Sequence, residues 1–579
     1  MAAGFATARR ASDLDAGAKL ILAAGALLAV YLIAAPLGML LIAAFRGPAD
    51  LLPFEPGAHW TLEHFRAVYG DSVLYTRILP DTLVFVIGAV ALTFVIAFTL
   101  AWLVERTDLP WRDLWYALIL FPLLVPSVVL AIAWIFLAGP NAGWANVLLR
   151  GLLGLSGTGP INIFSMPGLI ICQALASVPF SFLLLCSALR SMNPALEEAS
   201  GASGASPLAT FLKVTLPVLL PGVLAPVILS LVITLEQFEM PLLIGLPSRI
   251  NVFSYRIWYE LNPSSGLPNY GGATAVAIPF LVLGMLLLMT YNWLIRRGES
   301  FVTVTGKAYR QKRLPLERWR IPALAFVAAY VAFAAVLPAL VLLWTGFFGY
   351  AVPGLDSLAK FSFDAYRELF GNRLFWLGLK NTFIVATLSA LIVTAIGALL
   401  AWIIVRTRFR GRQVLDFVSF MSVGIPSIIA ALAVMLLYLS VPIGLYGTVW
   451  ILVIAYSYRL AVTTRICRAG LMQLHRELEE ASSTSGARWI ATQQRVVLPL
   501  LMPTLISGFV LLFITGVREF TMGLVLYNQD NVVLSVLLWR LFESGRAAPS
   551  AALATIIVVL VIPVIFLVRR YLSPRGLAE

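Results

Sequence analysis

The chain has 579 residues, of which 60% are hydrophobic and 12% charged, with a mean hydropathy of +0.92 and a formal net charge of +13. A water-soluble protein of this length needs far more charge on its surface, so the composition excludes a soluble enzyme or a free nucleic-acid-binding domain. The basic excess concentrates in the segments between alternate apolar runs, the positive-inside bias of a multi-pass membrane protein.

Apolar runs of about 20 residues, enough to cross ~30 Å of hydrocarbon, recur twelve times: 20–45, 82–104, 114–138, 167–190, 218–245, 273–295, 322–347, 382–405, 414–440, 446–470, 501–526 and 550–570. The first run is too long for a signal-peptide core and no small-residue cleavage site follows it. It is therefore expected to be retained, with Arg9, Arg10 and Lys19 holding the N-terminus in the cytoplasm and an even number of spans returning the C-terminus there. The fold class is all-α integral membrane, with about 12 transmembrane helices. Aromatic stretches at 60–65 and 361–366 read as short amphipathic segments packed at the outer surface. Pro122 and Pro126 in the third run and Pro426 in the ninth predict kinks. Cys172, Cys186 and Cys467 all lie in apolar runs without a disulfide or metal-ligand spacing, and read as packing residues.

The chain repeats itself. Ala101-Trp102-Leu103-Val104-Glu105-Arg106-Thr107 corresponds to Ala401-Trp402-Ile403-Ile404-Val405-Arg406-Thr407, and Pro126-Ser127 to Pro426-Ser427, at an offset of 300. Further on, Leu196-Glu197-Glu198-Ala199-Ser200, Gly204 and Leu216-Pro217 correspond to Leu478-Glu479-Glu480-Ala481-Ser482, Gly486 and Leu498-Pro499, at an offset of 282. The first half therefore carries about 18 extra residues between the anchors, expected at 138–165. Six spans and six more in the same orientation make two parallel six-helix repeats about an axis normal to the membrane. The expected division is a first half at 1–295, a basic cytoplasmic linker at 296–320 and a second half at 321–579.

Each half carries a polar cytoplasmic loop, at about 190–217 and 472–499. A proline or polar start and two glutamates in the first turn suit the helix dipole. Gly204 or Gly486 allows a sharp change of direction, and a second short helix leads into Leu-Pro, where the next span begins. Two short helices joined at a glycine form a rigid projection with an acidic leading end, duplicated as if for a two-headed partner.

These loops resemble the EAA loop of type I ABC importer permeases: Glu-Ala-Ser, three residues, glycine, nine residues, a β-branched residue (Val214, Val496), one residue, then Leu-Pro. Ser200 and Ser482 replace the motif's second alanine. Nearly the whole chain resembles the fused, twelve-span permeases of the ferric-iron class, through Ala101 to Pro110, Leu235 to Pro247, Thr303 to Lys307 and Arg518-Glu519-Phe520. The resemblance implies a permease subunit of an ATP-driven, binding-protein-dependent importer in a bacterial inner (plasma) membrane, most readily for ferric iron. Relatives for thiamine, phosphonates and polyamines leave the solute open. It implies two ATP-binding cassette subunits at the cytoplasmic face, seated on Glu197, Glu198, Ala199, Gly204, Leu216, Pro217, Glu479, Glu480, Ala481, Gly486, Leu498 and Pro499, and an external, periplasmic solute-binding protein.

No phosphate loop is present, since Gly306-Lys307 is followed by Ala308. ATP and Mg²⁺ are accordingly expected on the partner ATPase and no cofactor on this chain. His59, His64 and His475 are scattered, and neither an enzyme active site nor a metal site is evident. Intramembrane charges mark a path or a partner. Glu236 and Glu239 in the fifth run and Arg518 and Glu519 in the eleventh are candidate path residues, with Glu236 and Arg518, aligned at 282, expected to face one another across the axis. Arg459 and Arg465 read as reaching toward the inner face. An ion-gradient-driven secondary transporter also comes as six plus six helices, but has no use for the repeated acidic loop.

Overall fold

In hydrocarbon the backbone has to satisfy its own N–H and C=O groups, so the apolar runs become helices. The computed structural model describes residues 15–190, 195–263, 266–298, 313–349, 355–441 and 443–572. Arg9, Arg10, Pro194 and residues 299–312 of the linker lie outside them.

Among the described residues seven helices are long and apolar enough to cross a bilayer: Ala16–Ala44, Leu74–Arg106, Met166–Arg190, Tyr270–Leu294, Glu317–Phe348, Arg373–Arg406 and Trp489–Arg518. Three spans are bent pairs, Arg112–Leu124 with Ser127–Ala138 at 99°, Phe211–Leu220 with Gly222–Leu235 at 54°, and Val449–Tyr456 with Leu460–Gln473 at 49°. Two shorter apolar helices, Ser427–Ser440 and Ala547–Val561, complete the twelve expected positions.

The prolines of the third and ninth runs do more than kink. Pro126 and Pro426 take matched extended conformations, φ −57°, ψ 140° and φ −54°, ψ 141°, and each starts a new helix at the following serine. Proline offers no N–H to a continuing ladder and pushes the residue before it out of the α region. The fifth and eleventh runs are also shorter as helices than expected. They stop at Leu235 and Arg518, and the chain continues into short buried segments, Pro241–Gly245 and Thr521–Val525. A charged or polar break is tolerated there because protein, not lipid, surrounds it.

The halves interlock through their first spans. Ala16–Ala44 packs against Arg373–Arg406 and Ser427–Ser440 of the other half. The hydroxyls of Tyr31 and Tyr438 are 3.0 Å apart. Reciprocally, the Glu317–Phe348 span packs against Ser127–Ala138, with Trp134 and Phe333 rings stacked at 6.4 Å and Tyr330 Oη donating to the Leu175 carbonyl at 3.4 Å. A second seam is closer still. A Cβ at Gly284 would stand 2.7 Å from the carbonyl oxygen of Gly424, so only glycine lets these two backbones meet.

The residues extra to the first half form a helix, Trp144–Leu153, held by the buried Asn146. Its Nδ2 donates to the carbonyls of Gly139 (2.9 Å) and Ile161 (2.7 Å), and its Oδ1 accepts from the Ile161 N–H. The outer segments become the helices Glu63–Gly70 and Asp364–Gly371. Tyr69 Oη donates to the Ala275 carbonyl at 3.0 Å, and the Tyr366 ring lies 4.8 Å from that of Phe347. The three cysteines are buried and unbridged.

Gly284→Ala should weaken the seam by about 1–3 kcal/mol, the usual cost of forcing atoms into a packed interior. Gly38, in the first span, has nothing within 4 Å of a built Cβ. Gly38→Ala should leave the melting temperature unchanged or slightly raised. Thermal unfolding in detergent separates the two.

Candidate coupling sites and translocation path

Each cytoplasmic loop folds as its pattern requires. Ala195–Ala202 and Glu477–Thr484 are the first helices. Gly204 and Gly486 follow at φ +82° and +81°, a left-handed conformation that disfavours any side chain. The second arm begins at Pro207 or Trp489. Ser200 and Thr210 hydroxyls lie 2.9 Å apart, as do those of Ser482 and Thr492, so one hydrogen bond braces the two arms in each copy. The serines that replace alanine in the motif therefore have a structural task. Before Leu216-Pro217 and Leu498-Pro499 the ladder widens to a π turn: the Leu216 N–H reaches the Phe211 carbonyl and the Leu498 N–H that of Gln493. The proline that follows has no N–H, and a one-residue shift of register accommodates it.

The two adjacent glutamates have opposite fates. On a helix, neighbours in sequence point about 100° apart. Glu197 turns inward onto Arg106, with which it forms an ion pair, and accepts from Thr215 Oγ1 at 2.7 Å. Glu479 is 7% exposed and pairs with Arg406, itself 7% exposed, at Nε–Oε1 2.8 Å. Trp402 Nε1 donates to the other oxygen of Glu479 at 3.4 Å, and Arg406 Nη2 donates to the carbonyls of Leu471 and Leu474. Arg106 and Arg406 end the second span of their halves, and both belong to the repeat at offset 300. Glu198 and Glu480, by contrast, are exposed beside the exposed Ala199 and Ala481. One acid of each pair fixes the projection to the transmembrane body, and the other is its outward face. The arginine partners were visible in the repeated heptapeptide; what concealed their role was that ion pair and loop carry different offsets.

The axis between the halves is built where the fifth and eleventh spans end. Phe238 and Phe520, 282 apart in sequence, are fully buried and stack with ring centroids 6.4 Å apart. Trp258 and Trp539 extend the layer on either side, at 5.9 Å from Phe238 and 6.3 Å from Phe520. One residue further, Thr521 Oγ1 donates to Glu239 Oε1 at 3.0 Å, again across an offset of 282. Residues that touch their own copy lie on a two-fold axis, so this aromatic layer marks the centre of the molecule.

Around this layer the charges do not pair as expected. No ion pair or hydrogen bond among the described residues joins Glu236 to Arg518, and the Arg518 Nε is buried without a hydrogen-bond partner. The ion pair is instead Arg459 with Glu519, and Arg459 also donates to Ser427 Oγ at 2.9 Å. Arg459 thus points into the bundle rather than toward the inner face. It sits in the break of the tenth span, between Tyr456 and Leu460. Arg465, with Arg468, meets Asp416. Glu239 accepts from Gln237 Nε2 at 2.7 Å as well as from Thr521. Among the described residues no group of three His, Cys, Asp or Glu side chains stands close enough to hold a metal ion.

Twelve apolar helical positions in two interlocked, axially related halves, with a matched acidic projection on each, define a duplicated membrane transport protein. Residues 95–299 and 393–576 match the family described as binding-protein-dependent transport system inner membrane component, and the chain belongs to that family. It is a multi-pass inner-membrane permease component and not itself the catalytic part of the system. The ferric transport system permease protein FbpB of Actinobacillus pleuropneumoniae is 26% identical over 88% of this chain and 73% of its own. A putative ferric transport system permease protein FbpB 1 of Haemophilus influenzae is 28% identical over 72% of this chain and 65% of its own. In the same organism, an Fe(3+)-transport system permease protein FbpB 2 is 23% identical over 84% and 87%.

Removing one member of a buried ion pair strands the other charge, at a cost of about 3–5 kcal/mol. Arg406→Ala should therefore loosen the second projection, seen as faster amide exchange over 477–497. Arg406→Met with Glu479→Leu, which strands no charge, should return most of the protection.

Proposed function

We propose that this chain is the membrane path of an importer that takes ferric iron from an external binding protein and is driven by two ATP-binding cassette subunits. The observation that carries the reading is the pair of clamped projections, each with its free glutamate, Glu198 or Glu480, facing outward. An ATPase subunit that closes on ATP moves its surface by ångströms. That displacement reaches the membrane only through a rigid lever, and the buried clamps make each loop one body with the second span behind it. The two subunits sit at the cytoplasmic face, which puts both termini of this chain on that side. ATP and Mg²⁺ belong to those partners. Ferric iron is favoured because the relatives that span most of the chain carry that name.

The aromatic layer of Phe238, Phe520, Trp258 and Trp539 is the barrier on this path, with Glu236, Glu239, Arg459, Arg518 and Glu519 around it. A transported ion has to leave as readily as it enters. Carboxylates that are hydrogen-bonded or paired offer a hard cation oxygen without the closed cage that would trap it.

In lipid vesicles with the ATPase, and with the binding protein loaded with Fe³⁺, Glu198→Lys with Glu480→Lys should lower stimulated ATP hydrolysis and ⁵⁵Fe uptake at least tenfold. The melting temperature should stay unchanged, because both side chains are exposed. Uptake that follows an imposed ion gradient without ATP would overturn the reading. Phe238→Ala with Phe520→Ala should let a small ion leak through vesicles without ATP, measured by dye release or conductance.

A further inference from the structure

The two halves differ at one place where the repeat would have them alike. In the first half Phe94, Phe98, Trp102 and Phe211 fill the angle between the second span and the coupling loop, with Phe98 and Trp102 rings 6.5 and 5.2 Å from Phe211. At the matching positions the second half has Thr394, Ala398, Trp402 and Gln493. Three rings are gone, and a cavity of about 560 Å³ stands there, walled by the Arg373–Arg406 helix, the Trp489–Arg518 span and Ile21 of the first helix. That is a ligand-sized volume.

Its shape is that of one leaflet. The wall runs from Trp402 to Leu391 on one helix and from Leu498 to Phe509 on the other. Each stretch is about 16 Å at 1.5 Å per residue, against ~15 Å for half the hydrocarbon thickness. It begins at the coupling loop, hence at the cytoplasmic interface. The rim is open to the bilayer, since Leu391, Ile490 and Met502 are exposed on membrane-spanning elements. Independently of shape, three wall residues keep buried polar atoms with no hydrogen-bond partner among the described residues: Thr394 Oγ1, Trp489 Nε1 and Gln493 Nε2. Thr394 and Trp489 are both more than nine-tenths buried. Trp489 Nε1 and Gln493 Nε2 are donors and belong to the interfacial end. Exposed Lys19, Arg488 and Arg495 lie within two residues of the lining positions Ile21, Trp489 and Gln494.

We propose that this cavity binds one anionic glycerophospholipid of the cytoplasmic leaflet. The acyl chain fills the apolar wall, ester oxygens accept from Trp489 and Gln493, and the phosphate meets the basic rim. Trp402 and Trp489 rings stand 5.3 Å apart, and Trp402 also donates to Glu479, so the lipid bears directly on the clamp of the second coupling element and not on the first. The binding stands whether or not the importer reading does; only its effect on ATP hydrolysis rests on that reading.

The test is native mass spectrometry of the full chain, delipidated in mild detergent and titrated with dioleoyl-phosphatidylglycerol or dioleoyl-phosphatidylcholine. Wild type should retain one phosphatidylglycerol per chain, at least tenfold more tightly than phosphatidylcholine. Thr394→Phe with Ala398→Phe and Gln493→Phe, which copies the first half, should lose that retention at least tenfold. Trp489→Phe with Gln493→Leu, which leaves the cavity wall apolar and the core filled, should lower it severalfold at an unchanged melting temperature. Equal retention by wild type and the second variant overturns the polar contacts. Equal retention of the two lipids, or recovery of detergent alone in the site, overturns the proposal as a whole. In vesicles with the ATPase, phosphatidylglycerol should stimulate hydrolysis by wild type and not by the triple variant.

Discussion

A guanidinium held against a carboxylate at the end of the second span is the contact on which the placement of both polar projections depends. The apolar helices would assemble without it. Yet an exposed, polar pair of short helices needs a buried contact to fix it to the transmembrane body. Arg106 with Glu197 and Arg406 with Glu479 do so at corresponding places, the second pair out of water and the first with its carboxylate partly exposed, where the Coulomb attraction is less screened than at the surface. A surface pair in the same position would contribute little. The braces around it, Ser200 with Thr210 and Ser482 with Thr492, then only have to hold two arms that already share a base.

Symmetry supplies the second constraint. A parallel repeat brings each residue near the axis against its own copy, and the chain places there what tolerates self-contact: a phenylalanine stack and a carboxylate that meets a hydroxyl rather than a second carboxylate. Glu239 opposite Thr521 is an asymmetric solution to a symmetric problem, since two glutamates at that point would repel. The halves are copies in outline and have parted where identity would be costly or where one of them has something different to hold.

Much of this was legible in the sequence, because membrane helices and fixed motif spacings are local properties. The twelve runs, the two loops and their glycines, and the insertion before Pro160 all follow from patterns a few tens of residues long. What was not legible depends on where helices stop. Glu236 and Arg518 align at the repeat offset and were expected to meet, but the contact falls two and three residues later, at Phe238 with Phe520 and Glu239 with Thr521. Both helices end at those charges, and helical periodicity says nothing about the register beyond an end. Arg459 was misplaced for the same reason: it sits in the break of the tenth span, and its side chain turns into the bundle. The division of labour within each Glu-Glu pair was hidden because the partner arginine lies 91 residues away in one half and 73 in the other.

The exchange of first spans has a consequence for biosynthesis. The helix Ala16–Ala44 packs against Tyr270–Gly298 of its own half, but its other face is covered by Arg373–Arg406 and Ser427–Ser440. About 400 residues must therefore be made after it before its packing is complete, roughly 20–80 s at ordinary rates of translation. Through that interval Ala16–Ala44 keeps one face in lipid beside a half-built bundle. Joining both halves in one polypeptide keeps that waiting helix tethered to the surface it needs.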